Sequence, residues 1–279
     1  MTETILDHVS VGTRVLADGW DLFGGLLGGT WVHGGDSPGF WWGQVQFRTG
    51  PKIELITPTG GPDSAFLERF LVRNGPGAHH LNFIVGDIVE TLRRIRSLGI
   101  EPVQVSLDEP RWKEAFLRSR DGFGIVIQVA EQSGPPPELA APAGLGAAGP
   151  ASAFSLIEQY VDDIGAAIAL FESALGGDVV SRGDTAAGSV AELTWPNGAR
   201  LRLSTRAPDT RAEDGHGTGP GTGSGSEASL RACGAARPGS SGAVGPLHFS
   251  RGERPFSPDD LSRAAEKSRL LGVRVALRS

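Results

Sequence analysis

Cysteine is nearly absent from this chain: among 279 residues there is one, Cys233, and there is also a single methionine and a single tyrosine. One thiol forms neither an internal disulfide nor a thiolate cluster, which excludes a disulfide-stapled secreted scaffold and a zinc finger. Any bound metal must then be held by histidines and carboxylates. Long apolar runs are missing too, and none approaches the ~20 residues that a membrane helix needs. The opening Met1-Thr2-Glu3-Thr4 lacks the basic-then-apolar pattern of a signal peptide, so no membrane association and a cytoplasmic location are expected. There is no basic run, and 26 Lys and Arg against 32 Asp and Glu leave a net charge of −6. That balance offers no electrostatic footprint for DNA or RNA, so no nucleic-acid partner is expected.

What is present is distributed unevenly. Residues 133–153 are rich in Pro, Ala and Gly without apolar periodicity and read as a linker between a first domain, 1–132, and a second, 154–279. A second biased stretch near 207–245 has too few large apolar side chains to offset its ordering entropy, and is expected to be a disordered insertion.

Between these segments the chain repeats itself. Four times a short apolar strand is followed by an acidic residue, an amphipathic helix and a terminal Leu-Gly or Gly. The second copy runs His80 to Val85, Asp87, then Ile88, Leu92 and Ile95 on one helical face, then Leu98-Gly99. The third runs Phe154 to Tyr160, Asp163, then Ile164, Ile168, Phe171, Leu175 and Gly176. The first opens Leu6-Asp7-His8-Val9 with a helix over 18–27, and the fourth runs Leu247 to Ser250 with a helix opening at Asp260. An acidic N-cap, a stripe of period 3.6 and a glycine stop agree with one another as helix signals. Hairpin strands follow the first three helices, with Asp121-Gly122 and Asn197-Gly198 as turns. The expected fold is α+β: four βαβββ repeats, the fourth truncated, forming cupped mixed sheets with helices outside. The truncated fourth repeat leaves its sheet either incomplete or completed by strands of a partner chain, the second of which would make a homodimer.

In the first half four polar residues interrupt apolar strands: His8, Glu54, His80 and Gln128. They recur with the fold, 72 positions separating His8 from His80 and 74 separating Glu54 from Gln128. Because strand side chains alternate, all four can point to one face while their neighbours fill the core. A buried glutamate needs a compensating charge, and a divalent cation would supply it. Two imidazoles, a carboxylate and an amide oxygen suit an open site with positions for water or substrate, not a closed structural zinc.

These residues carry a resemblance. Leu-Asp-His-Val-Ser-Val at 6–11, Lys-Ile-Glu-Leu-Ile-Thr-Pro at 52–58, Gly77-Ala78-His79-His80-Leu81-Asn82-Phe83 and Gly124 to Val129 resemble the vicinal oxygen chelate superfamily. The first half is most similar to methylmalonyl-CoA epimerases and glyoxalase-type proteins. The resemblance implies one divalent metal ion (Mn, Fe, Co, Ni, Zn or Mg) held by His8, Glu54, His80 and Gln128. It implies Lewis-acid stabilisation of an enolate or oxyanion of a small-molecule substrate, as in an isomerase or lyase.

Two departures stand out. Gln128 occupies a position that is often glutamate in the isomerases, and the segment Gly39-Phe40-Trp41-Trp42-Gly43-Gln44 holds no carboxylate where the epimerases keep a base. Glu54 is left as the ionisable acid of the set and the candidate catalytic base. Trp41, Trp42, Asn82 and Trp112 are candidate substrate-pocket residues for an aromatic ligand, and Arg111, Lys113, Arg118 and Arg120 could neutralise a CoA thioester. His33 and His216, in glycine-rich surroundings, read as solvated. In the second half no imidazole stands near Leu156 or Pro246, where the register requires one, which implies a degenerate repeat pair. A non-haem iron dioxygenase using His8, His80 and Glu54, or a metal-free binding protein of drug-resistance type, are the alternative readings.

Overall fold

The computed structural model describes residues 3–134, 140–141, 145–186, 188–205, 243–252 and 255–278. They form an α+β fold of two curled mixed sheets with few helices. The first half contributes β1 (Ile5–Gly12), β2 (Thr30–Ser37), β3 (Phe40–Gln46), β4 (Lys52–Pro58), β5 (Gly77–Ile84), β6 (Val103–Ser106), β7 (Trp112–Leu117) and β8 (Val126–Gln132). They are ordered β2-β3-β4-β1-β5-β8-β7-β6. The second half contributes β9 (Ala153–Val161), β10 (Asp178–Thr185), β11 (Gly188–Thr194), β12 (Arg200–Thr205), β13 (Ala243–Ser250) and β14 (Val275–Arg278), ordered β10-β11-β12-β9-β13-β14. Each of the first three repeats closes with three strands after its helix, and the fourth with β14 alone among the described residues. The first and last strands of a repeat run parallel (β1 with β4, β5 with β8, β9 with β12), and antiparallel β1–β5 and β9–β13 pairs join the repeats. The biased insertion expected over 207–245 lies mostly outside the described residues, except that its last residues begin β13.

The helices follow their local chemistry. Asp87 caps α3 (Ile88–Ser97) and Asp163 caps α4 (Ile164–Ile168), each side chain accepting from the backbone N–H three residues on. The first helix differs from expectation: α1 (Leu16–Trp20) starts after Val15 with no side-chain cap, and Asp18 lies inside it. In α5 (Pro258–Leu270) the cap is Ser257, and Asp260 is the N3 partner of a capping box rather than the cap itself. After α1 and after α4 the chain loosens into a π-helical stretch, Asp21–Leu26 and Ala169–Ala174. Their bonds Leu27 N–H to Leu22 C=O (2.9 Å) and Leu175 N–H to Leu170 C=O (3.1 Å) are equivalent, so the third repeat copies the first in detail that α3 does not share. Gly28 ends the first stretch at φ +69°, where an added Cβ would lie 2.1 Å from the Pro150 carbonyl oxygen.

One hydrophobic core spans both sheets. Phe23, Phe47 and Phe83 of the first half meet Phe154, Phe171, Trp195 and Phe249 of the second. α5 packs on the π stretch after α1, and α3 on the π stretch after α4. The described part of the linker is docked on this seam: Gly146 C=O accepts from Trp20 Nε1 (2.9 Å) and Gly149 N–H donates to Gly24 C=O (3.0 Å). Buried Arg251 ties the halves together, donating to the Leu26 carbonyl and to Asp260 Oδ2 (2.9 Å) while covering the Phe256 ring.

With apolar residues on the shared side, polar ones are left for the inner face of each cup. A further helix, α2 (Ala65–Asn74), joins the first two repeats and packs Leu67 and Leu71 on Ile56 beside Phe40 and Trp42, walling one end of the first cup.

Burial works to raise the pKa of Asp260, but hydrogen bonds from Ser257 and Arg251 outweigh it and hold the carboxyl below its usual value. A lowered folded-state pKa means that this contribution is present above the ordinary carboxylate range and lost as pH falls through the lowered value. Arg251→Ala should therefore lower stability in urea at neutral pH by about 2–3 kcal/mol, and by less once acid has protonated Asp260.

Candidate metal centre

His8, Glu54 and His80 come from three neighbouring strands, β1, β4 and β5. Their donor atoms lie within 4.8 Å of one another, and all three side chains are buried. His8 Nε2 is 3.6 Å from one carboxylate oxygen of Glu54, and His80 Nε2 is 3.7 Å from the other. Neither distance is a hydrogen bond, and both nitrogens are buried without a partner.

The reason lies in what holds the other side of each ring. His8 Nδ1 sits 2.8 Å from Asp7 Oδ2, and Asp7 also accepts from Lys52 Nζ at 2.9 Å. Burial raises the Asp7 pKa, but the bond and charge of His8, with Lys52, outweigh it and bring it down to about 2. Asp7 is thus an ionised acceptor, and His8 carries its proton on Nδ1. His80 Nδ1 lies 2.9 Å from Nδ1 of His79, whose pKa burial alone pushes down to about 4. Between two neutral rings one Nδ1 donates and the other accepts; assigning His79 as the acceptor puts the His80 proton on Nδ1. Its own pKa is driven well below the usual value by burial, then by His79 and His8, with the neighbouring Gln128 amide acting against them. Both Nε2 atoms thus face the same carboxylate, buried and with no hydrogen bond to it. Two partnerless imidazole nitrogens facing one carboxylate fit a cation, and this donor chemistry suits a divalent metal. Ligand imidazoles anchored through their second nitrogen in this way are the usual companions of a metal.

Each imidazole is aimed by a β-bulge. Leu6 pairs with Phe83 and His8 with Asn82, leaving Asp7 as the extra residue; Val11 pairs with Ala78 and Ser10 with His80, leaving His79. The extra residue switches the alternation, so Leu6 and Ala78 stay on the core side while His8 and His80 turn into the cup. The displaced residues, Asp7 and His79, are the ones that hold the two rings.

Gln128 on β8 lies beside His80 and pairs in register with Asn82. Its Nε2 donates to Glu114 Oε2 and its Oε1 accepts from Asn82 Nδ2, each at 2.8 Å. Because a carboxylate only accepts, Glu114 fixes the amide with Oε1 on the Asn82 side, where a second lone pair remains. Trp112 Nε1 donates to the same Glu114 oxygen at 2.8 Å, which brings Trp112 to the margin of this network. Trp42 shares the inner face with Gln44 and meets His33 edge-on, ring centroids 5.4 Å apart. Trp41 is not brought to the site: it stacks on Trp31 at 5.6 Å on the other face, because neighbours in a strand point to opposite sides.

Besides the anchors His79 and Lys52, sequence reasoning missed three more residues. Gln44 donates to Glu54 Oε2 at 3.0 Å and steadies it. Glu114 falls on the same alternation as Phe116, one step before the strand expected at Ala115, and extending that period-2 pattern would have found it. His33, expected to be solvated, is buried in β2 and faces the site. Three of the four local charges expected to serve an anion are occupied instead: Lys113 pairs with Glu131 at 2.6 Å, Arg120 with Asp121 at 3.5 Å, and Arg118 reaches the Glu101 carbonyl.

The second cup answers the same register differently. Leu156 pairs with His248 as His8 pairs with Asn82, and Arg202 stands opposite Glu192 as Glu54 stands opposite Gln44. The Arg202 guanidinium donates to Glu192 (3.0 Å) and to Glu158 (3.4 Å), and His248 Nε2 lies 2.9 Å from Glu158. The His248 bond, against burial and aided by the His248, Arg202 and Arg274 charges, lowers the Glu158 pKa. A guanidinium thus neutralises this floor.

Residues 7–116 match the sequence model of the glyoxalase/bleomycin resistance protein/dioxygenase superfamily. That match covers 110 of the 279 residues, all of them in the first half. A triple mutant of 4-hydroxymandelate synthase from Streptomyces coelicolor aligns over 96% of this chain and 76% of its own, with 14% identity and a TM-score of 0.57, so the fold is shared across both halves. Methylmalonyl-CoA epimerase from Mycobacterium tuberculosis aligns over 46% of this chain and 88% of its own, with 26% identity and a TM-score of 0.40. The Streptomyces coelicolor epimerase in complex with 2-nitronate-propionyl-CoA covers 48% and 100%, with 17% identity and a TM-score of 0.41. No curated protein matches the chain. No helix of the described residues is long and apolar enough to cross a membrane.

The flat packing of Trp31 and Trp41 depends on Gly43, whose Cβ position lies 2.4 Å from the Trp41 ring and 2.5 Å from that of Trp31. Gly43→Ala is expected to cost about 1–3 kcal/mol, read as an earlier denaturation midpoint together with a shift in tryptophan fluorescence.

Proposed function

We propose that this protein is a divalent-metal-dependent isomerase or lyase acting on a small carbonyl compound through two adjacent oxygens. His8, Glu54 and His80 hold the ion, with Gln128 as the fourth ligand through its remaining lone pair. The observation that carries this reading is the pair of buried, unpartnered Nε2 atoms turned on the Glu54 carboxylate. When bound, the ion would polarise a carbonyl and stabilise the negative charge that develops on its oxygen as an adjacent proton leaves.

The chain's own residues do the rest. Asp7 and His79 hold the two rings in the tautomer that leaves Nε2 bare, and Gln44 tethers Glu54. A tethered Glu54 stays a ligand, so the base role that its chemistry allows falls to another group. Trp42, Phe40 and α2 give the cup an apolar wall that suits an aromatic or acyl portion of the substrate. Residues 1–132 carry the chemistry in this reading, and the ion-paired second half closes and supports it.

One observation favours a second reading: two imidazoles and one carboxylate are the composition of a non-haem iron centre. Oxygen consumption by iron-loaded protein would select it.

The test is elemental analysis of protein purified without chelator, with His80→Ala and Glu54→Ala alongside. About one divalent ion per chain, lost in both variants while folding is retained, is the expected outcome. A parent that stays metal-free after reconstitution with Mn, Fe, Co, Ni or Zn overturns the reading.

A further inference from the structure

His33 is the third imidazole of the first cup, and it is placed there by the same device as the other two. Trp31 pairs with Val45 and His33 with Gln44, so Val32 is a bulged residue that switches the alternation. Without it His33 would share the outer face with Trp31; with it the ring turns inward. Across the sheet the inner face then reads His33, Gln44, Glu54, each directly opposite the next. His33 is 7% exposed, its Nδ1 is buried without a hydrogen-bond partner, and the edge contact with Trp42 holds the ring. It is not one of the three clustered donors. A buried imidazole nitrogen with nothing to bond is a group kept for something else.

We propose that His33 is the acid–base group of this site, exchanging a proton with the ligand held in the cup, and that the substrate is accordingly one that ionises next to a bound oxygen. The inference rests on the metal-dependent reading above and supplies the base that reading lacks. In the forward step the Nδ1 lone pair takes the proton from the carbon beside the carbonyl. The C–H pair becomes the new C=C bond, and the carbonyl π pair moves onto oxygen. On return the imidazolium gives the proton back to carbon, so no oxidant or further reactant is needed.

The surroundings keep the ring ready to accept. Burial is the largest influence on His33 and lowers its pKa; Lys52 and His8 act in the same direction, and Asp7 and Glu54 act against them. The free ring is neutral at neutral pH, and the nearby carboxylates favour the imidazolium once a proton arrives.

The test uses zinc-loaded full-length protein and acetohydroxamate, a small chelator that offers two adjacent oxygens and must lose a proton to bind. Calorimetry in buffers of different ionisation heat counts the protons released on binding. With His33 as acceptor, the parent retains the proton, and His33→Gln releases about one more proton per site to the buffer at neutral pH. Zinc stoichiometry should be unchanged in the variant, which shows that it is folded and that its metal centre is intact. Equal proton release in parent and variant, or zinc binding without acetohydroxamate binding, overturns the assignment of His33 and leaves the metal centre standing. A parent that binds no zinc overturns both.

Discussion

Electrostatic compensation among acceptors governs this protein. Two imidazole nitrogens and a carboxylate converge in a buried space, and neither nitrogen has a hydrogen-bond partner there. Such an arrangement suits a cation, and each ring is restrained from behind. Asp7 with Lys52 provides that restraint for His8, and the neutral His79 provides it for His80. The sheet is the rigid element that fixes these distances, and the shared core beneath it keeps the strands from adjusting.

The second half meets the same electrostatic demand by other means. Where the first cup has Glu54 the second has Arg202, and the carboxylates of Glu158 and Glu192 close on its guanidinium. Buried carboxylates need positive charge in either case, and the two halves supply it from different sources. The matching π-helical stretches after α1 and α4 show that the halves share backbone detail even where their inner faces have diverged.

Most of the fold was legible in the sequence because its signals are local. Asp87 and Asp163 cap the helices they precede, and the apolar stripe of Ile88, Leu92 and Ile95 is buried as its period requires. His8, Glu54 and His80 stood out as polar residues within apolar strands, and they are brought together. Legibility failed where the strand period breaks. His33 follows a bulge that no alternation pattern registers, and its glycine neighbours suggested a loop. Asp260 was read as a cap because the acidic residue outweighed Ser257, although the hydroxyl three residues earlier is the group that takes the N–H. Trp41 and Trp42, adjacent in sequence, could not be assigned to faces until the register of β3 against β4 was known. The region expected to be disordered lies largely outside the described residues.

The bulges at Asp7, Val32 and His79 make the inner face a matter of parity. Whether a side chain meets the ligand or the core depends on whether an odd or even number of residues separates it from its strand's last regular pair. A sheet of this kind can gain or lose a chemical group through the insertion or removal of one residue, with the identities of all the others unchanged. Substitution alters what a position holds; a change in count alters which residues are positions of the site at all. A scaffold organised this way can reach different chemistries through length changes inside its strands, where such changes are ordinarily the least tolerated.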